Sequence, residues 1–190
     1  MRSNSLQLIL GCHLAVCLLM TVGCERQNPS PIENPYLGNM NDHSWGGLVE
    51  PGKDLRRVNA NGRYVSVSEF KGKFLWTDYA APWCQPCVPQ AQAIKSLETV
   101  FGGKVVFLTV MTANSSRFED VADQQTAKNW AQRFGLNPEQ VVAATNLWSR
   151  TIPTHILFSP AGQMLYQSTG ALTASQIQAI ASKHMQAWEG

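Results

Sequence analysis

Residues 74–87 read "FLWTDYAAPWCQPC", and the parsing of this stretch decides the fold. Its first half, Phe74 to Ala80, is a run of large and β-branched residues that predicts a buried central strand. Its second half sets Cys84 and Cys87 three apart with Gln85 and Pro86 between them. A helical pattern follows, with Ala91, Ile94, Leu97 and Val100 at helical spacing, predicting a helix from Cys84 to about Phe101 closed by Gly102-Gly103. A cysteine pair between a strand and a helix admits three readings: a metal site, a structural lock, or a pair that trades electrons.

Structural zinc takes four ligands. Beyond the first 24 residues the histidines are His43, His155 and His184, none at finger-like spacing, so zinc has too few partners. The redox reading needs a strand before the pair and a helix beginning at it, and both are present. With Cys84 at a helix N-terminus, unpaired backbone N–H groups and the positive dipole end favour its thiolate. Cys87 lies one turn further in, within reach of a mixed disulfide on Cys84. Pro86 suits a first helical turn, where its missing N–H costs nothing. Such a pair is its own redox centre, so neither a cofactor nor a metal is expected.

Outward from this stretch the chain alternates elements. "LRRVNANGRYVSV", residues 55–67, reads as two short extended runs around an Asn61-Gly62 hairpin turn. "KVVFLTVMT", residues 104–112, is apolar along most of its length, as a strand buried on both faces is. Ser116-Arg117-Phe118-Glu119 fits a capping box, with Phe118, Val121, Ala122, Trp130 and Phe134 as the core face of a helix ending at Gly135. A short strand is expected around Val141-Val142. "THILFSP" is a strand, Ala161-Gly162 a turn, and "QMLYQSTG" its hairpin partner. Thr173-Ala174-Ser175-Gln176 caps a last helix carrying Ile177, Ile180, His184 and Trp188. The order predicts an α/β domain with a mixed sheet covered on both faces.

The N-terminus carries an address. Residues 6–22, "LQLILGCHLAVCLLMTV", are apolar and uncharged, preceded by Arg2 and followed by Gly23-Cys24 and a polar turn. That is the pattern of an export signal, and "MTVGC" resembles the lipobox of bacterial lipoproteins. The resemblance implies lipidation of Cys24 after cleavage before it; an uncleaved signal anchor is the alternative. The expected organisation is a signal peptide over 1–23, the lipidated cysteine and a flexible tether over 24–44, and a folded domain over 45–190. Cys12 and Cys17 fall in the signal, which leaves Cys84 and Cys87 as the thiol pair of an exported protein. With 15% charged residues and a net charge of +2, and no basic cluster, nucleic acid is not an expected partner.

Taken together, "TDYAAPWCQPC" resembles the active-site segment of thioredoxins. The signal, the tether and the long segment before "TIPT" resemble the membrane-anchored TlpA/ResA type. The likeness covers residues from about 46 to 189 and implies a thioredoxin fold: a central mixed sheet flanked by helices, an N-terminal hairpin, and an insertion before the strand that follows a cis-proline. Ile152-Pro153-Thr154 matches the cis-proline motif, Gly170-Ala171-Leu172 the late glycine turn, and Asp78, six residues before Cys84, the buried acid. By period two Asp78 shares a face with Phe74 and Trp76, where a carboxyl is costly to ionise and suited to exchange a proton with Cys87. The resemblance makes Trp83, Ile152 and Pro153 the substrate surface, with the Ile152 backbone pairing an extended chain and Trp83 an exposed apolar contact. It also implies an extracytoplasmic enzyme acting on protein thiols and disulfides, with a membrane or extracytoplasmic electron partner.

Three departures stand out. Gln90 occupies the place of an acidic residue common in cytochrome-maturation relatives, Gln92 stands where the helix proline usually falls, and Pro89 is expected to loosen the first turn. Ile152 and Pro86 resemble reducing members more than strong oxidants. Glu25 after the lipidated cysteine points to the outer membrane of a two-membrane bacterium, with the domain in the periplasm. The second reading is a copper-handling module in which two thiolates and His155 bind Cu(I), although chaperones on this fold usually space their cysteines C-x-x-x-C. A peroxidase reading lacks its threonine, because Ala81 stands three residues before Cys84.

Overall fold

The computed structural model describes residues 49–50, 53–54, 56–118, 120–143 and 151–190. The signal, Cys24 and the whole tether lie outside the described residues, as do positions 144–150 of the expected insertion. The elements run β1 (Val49–Glu50), β2 (Lys53–Asp54), β3 (Arg56–Val58), β4 (Tyr64–Ser66), β5 (Phe74–Ala80), α1 (Cys87–Leu97), β6 (Val105–Met111), α2 (Gln124–Phe134), β7 (Val141–Ala143), β8 (Thr154–Phe158), β9 (Met164–Thr169) and α3 (Ala174–Glu189). The main sheet has the order β7-β6-β5-β8-β9. β5 pairs parallel with β6 and antiparallel with β8, and β6 pairs parallel with β7. The sheet is therefore mixed, with β5 at its centre.

Every residue of β5 and β6 is buried, which is why both read as near-continuous apolar runs. Alternation sends their side chains to two faces. Phe74, Trp76, Phe107, Met111 and Leu157 join one cluster with Ile94 and Leu97 of α1, Trp130 of α2 and Ile177 of α3. Leu75, Tyr79, Val106, Leu108, Val110 and Ile156 form a second cluster with Val65 and Phe70. Burying side chains of this size is worth about 1.5–3 kcal/mol each, so the two faces hold the sheet in one register.

The β3–β4 hairpin forms where expected, but its connection is longer than a two-residue turn. Val58 pairs with Tyr64, and Asn59 organises the five residues between. Its Oδ1 accepts from the backbone N–H of Asn61 at 3.0 Å and of Arg63 at 2.9 Å, and Gly62 supplies the positive φ of 84°. The hairpin is pinned to the sheet edge by the Ala60 N–H donating to the Val141 carbonyl at 2.9 Å.

Three helix boundaries differ from the sequence reading. The regular part of α1 starts at Cys87 rather than Cys84, because the N–H groups of Cys87 and Val88 bond back only three residues, to the carbonyls of Cys84 and Gln85, each at 3.2 Å. Pro86 is the N-cap and Pro89 falls in the first turn, where the N–H that proline lacks would have had no intrahelical partner; the helix runs on unbroken. It ends at Leu97, and turns through Gly102 and Gly103 leave Val100 about half exposed. The expected capping box at Ser116 does not form. Phe118 adopts a left-handed φ of 58°, unfit for a first helical turn. The segment is instead folded back on β6, with the Ala122 N–H bonded to the Thr112 carbonyl at 3.2 Å. α2 starts only at Gln124, capped by Asp123, whose Oδ1 accepts from the Thr126 N–H at 2.8 Å. The capping box at Thr173 forms as read.

Candidate active site

The site assembles at the C-terminal end of β5. Seven residues after Ala80 the chain has turned through Pro82 and Trp83 into α1, and Cys84 and Cys87 are joined as a disulfide with Cα atoms 5.3 Å apart. The pair is asymmetric. Cys84 retains 4% exposure and Cys87 none. Gln85 and Pro86 between them are exposed. Trp83, expected to be exposed, is half-buried, because its ring meets that of Phe118 edge-on at a centroid distance of 5.0 Å. The left-handed Phe118 thus builds a wall beside the cysteines, a role hidden while residues 116–119 read as a helix start.

β8 brings the second half of the site. Tyr79 pairs with Thr154, so the residues just before β8 run alongside the end of β5 where the cysteine turn begins. The Ile152–Pro153 peptide is cis, the isomer expected, with Pro153 buried and Ile152 half-buried against both core clusters. The loop after β9 closes over this corner. Gly170, at φ 90°, donates its N–H to the Pro153 carbonyl at 2.9 Å, and the Leu172 N–H donates to Gln90 Oε1 at 2.7 Å. Gln90 is fully buried. The residue read as a departure from relatives is therefore the strut between α1 and the glycine turn.

Asp78 is 1% exposed, on the sheet face covered by α1, as its period-two partnership with Trp76 required. Its cross-strand partner is His155, fully buried. His155 Nδ1 lies 3.0 Å from Asp78 Oδ1, and Nε2 lies 2.9 Å from the Gly170 carbonyl oxygen. Sequence reasoning made His155 a packing residue or a copper ligand. Nε2 is hydrogen-bonded to the Gly170 carbonyl, while Nδ1 lies beside the Asp78 carboxyl. The two meet through the register of β5 against β8, which joins strands distant in sequence.

Five strands in this order, a cysteine pair at the end of the central strand and a cis-proline beside it define the architecture. The domain has the thioredoxin fold. No family model matches it. The domain is 23% identical over 126 residues to the thiol-disulfide oxidoreductase ResA of Bacillus subtilis, a match covering 63% of this chain and 65% of that relative. The chain thus spans about two thirds of the length of this curated relative. Among solved structures, a thioredoxin-family thiol:disulfide interchange protein from Chlorobium tepidum superposes with a TM-score of 0.56 at 18% identity, covering 69% of this chain and 92% of that one. The exposed lipoprotein thioredoxin Etrx1 of Streptococcus pneumoniae gives 0.52 at 20% identity, covering 68% and 98%. These likenesses carry the thioredoxin fold; the site carries the chemistry.

Proposed function

We propose that this protein is an extracytoplasmic thiol–disulfide oxidoreductase that exchanges electrons with protein substrates through Cys84 and Cys87, working as a reductant. The observation that carries the reading is the asymmetric Cys84–Cys87 disulfide set beside a cis-proline. The name of the Bacillus subtilis relative supports it. In the dithiol form the Cys84 thiolate attacks a target disulfide, forming a mixed disulfide and releasing one target thiolate. Cys87 then attacks Cys84 Sγ, the mixed disulfide breaks, and the second target sulfur leaves as thiolate. Two electrons have passed to the target and the Cys84–Cys87 bond has formed. Trp83 and the Ile152 backbone are the surfaces on which the target strand lies.

Direction rests on Ile152 before the proline and on Pro86 within the dipeptide. A reductant in an oxidising compartment needs a membrane or extracytoplasmic electron donor to restore the dithiol. The anchor of this reading is lipidated Cys24, supported by "MTVGC" and by the description of the pneumococcal neighbour as an exposed lipoprotein. Glu25 directs it to the outer membrane, leaving the domain in the periplasm. The deciding experiment equilibrates the pair against thiol buffers and follows tryptophan fluorescence. A potential near about −270 mV marks a reductant, and one near about −120 mV overturns that direction. A pair that never cycles overturns the enzyme itself.

A further inference from the structure

Phe118 is the one non-glycine residue of positive φ among the described residues, at 58°, a region that bulky side chains rarely occupy. Core packing does not account for it. The residue is 8% exposed, yet it belongs to neither core cluster. Its ring meets Trp83 instead, with centroids 5.0 Å apart and planes at 86°, an edge-to-face geometry that aromatic pairs favour.

The loop around Phe118 is closed at its neck. Ala113 and Val121 form an isolated bridge, the Asn114 N–H donates to the Asp120 carbonyl at 2.9 Å, and the Ala122 N–H returns to Thr112. Asn114 Oδ1 accepts from the Thr126 hydroxyl, which ties the neck to α2. At the tip the Phe118 N–H closes a turn on the Ser115 carbonyl at 3.1 Å. Ser116 and Arg117 face water, whereas Phe118 turns inward. Compact loops of this kind are frequent carriers of function, and strained backbone collects at functional sites.

Trp83 is the side chain that gains from it. The residue precedes Cys84, is half-buried and packs against the main core cluster. Its Nε1 makes no hydrogen bond to the described residues, so ring packing, not its N–H, sets the attitude of the indole. Topology then places the wall. β6 lies on one side of β5 and β8 on the other. Phe118 follows β6 while Ile152 and Pro153 precede β8, so the cysteine turn runs between an aromatic wall and an aliphatic one.

We propose that Phe118 is a positioning residue for target recognition. It holds Trp83 as a fixed aromatic platform that selects targets with an apolar or aromatic residue two places from the reacting cysteine. This deepens the exchange reading above and rests on it. An extended target that turns its cysteine toward Cys84 turns the residues two places away to the same face, over the platform. A carboxylate set there loses water and meets the negative faces of the rings.

The test uses the full chain carrying Cys12→Ser, Cys17→Ser and Cys24→Ser, in its dithiol form. Its targets are short peptides with one cysteine, capped as a disulfide by a chromogenic nitrothiobenzoate, whose low thiol pKa makes it the leaving group. Cys84 Sγ bonds to the peptide sulfur, the bond to the cap breaks, and the electron pair leaves on the coloured thiolate. Phe, Leu, Ser or Asp stands two places before or after the cysteine. Each rate is divided by the peptide's own rate with dithiothreitol and by the protein's rate with capped mercaptoethanol, which carries no peptide. At one of the two positions the Phe and Leu peptides are expected to react about five- to tenfold faster than the Asp peptide. Phe118→Gly, which suits the backbone angle and deletes the ring, is expected to bring that ratio below about twofold, and Phe118→Tyr to keep it. Trp83→Ala should lose the preference too, and adding Phe118→Gly to it should remove nothing further. A protein that does not discriminate, or a preference that survives Phe118→Gly, overturns the proposal. If capped mercaptoethanol itself releases no thiolate, the exchange reading fails and the platform falls with it. Should Phe118→Gly not fold, the Cys87→Ser protein trapped with the Phe peptide decides by proton resonance. Nuclear Overhauser contacts between the peptide ring and the Trp83 indole are expected, and their absence overturns the platform.

Discussion

Replacing Gly170 by alanine tests whether the glycine turn is held by backbone conformation alone. Its φ is 90°, a region L-residues rarely adopt, and a Cβ built there meets nothing within 4 Å. Steric contact therefore contributes nothing, and the cost is the backbone strain itself, about 1–3 kcal/mol. Restricting the unfolded chain returns about 0.4–1 kcal/mol. The expected loss is about 1–2 kcal/mol. With a urea dependence of about 2 kcal/mol per molar, the unfolding midpoint falls by about 0.5–1 M at unchanged slope. Gly72 is the matched control, at φ 84° with no atom within 4 Å of its Cβ and its N–H bonded to Pro160, away from the cysteines. Gly72→Ala should lose similar stability and keep the wild-type rate of thiol exchange. Gly170→Ala should also slow the second exchange step, because relief of its strain displaces the N–H held by Pro153 and the carbonyl held by His155. A Gly170→Ala midpoint within about 0.2 M of wild type would refute the strain argument.

Other expectations are as direct. Cys87→Ser should accumulate mixed disulfides on Cys84, visible by non-reducing electrophoresis, whereas Cys84→Ser should accumulate few; equal accumulation would reverse or abolish the assigned roles. Asp123→Ala should cost about 0.5–2 kcal/mol at pH 7 by removing the cap of α2. The Thr126 N–H and hydroxyl hold the Asp123 carboxyl below its usual range. A folded value depressed below the unfolded one gives stability that is complete above the unfolded value, about 3.9, and lost as pH falls through the folded one. The gap between wild type and variant should therefore narrow below about pH 4, and a constant gap in urea titrations would remove the charge from the cap. Cys24→Ser should release the protein from the membrane fraction of the expressing cell; retention there would leave the uncleaved anchor as the attachment.

Much of the fold was legible because local chemistry and the final structure agree. The seven buried residues of β5 could only be a strand covered on both sides, and Cys84-Gln85-Pro86-Cys87 after it announced the redox pair. Thr173 and Gln176 spelled the start of α3 in their own side chains. Where two local signals competed, the sequence could not rank them. Ser116 and Asp123 both offer helix caps, and the choice fell to Asp123 because Ala122 is bonded back to Thr112 at the end of β6, a tertiary contact. The start of α1 slipped from Cys84 to Cys87 for a similar reason, since backbone bonds of three-residue span cannot be read from side-chain spacing.

The site divides along the same line. The cysteines are announced by the strand and helical pattern beside them, and the cis-proline and the buried carboxyl by the resemblance of "TIPT" and "TDYAAPWCQPC" to thioredoxin segments, so the sequence determined that a thiol pair, a proline and an acid would share one domain. Only the tertiary structure decided that the acid would have a histidine. Asp78 and His155 meet because β8 returns antiparallel beside β5 in a single register, and a slip of one residue would turn His155 to the opposite face. Gln90 and Gly170 likewise gain their roles from the closing of the last loop over α1. Pairings between strands distant in sequence depend on the packing of the whole sheet, and no local pattern in the chain encodes them.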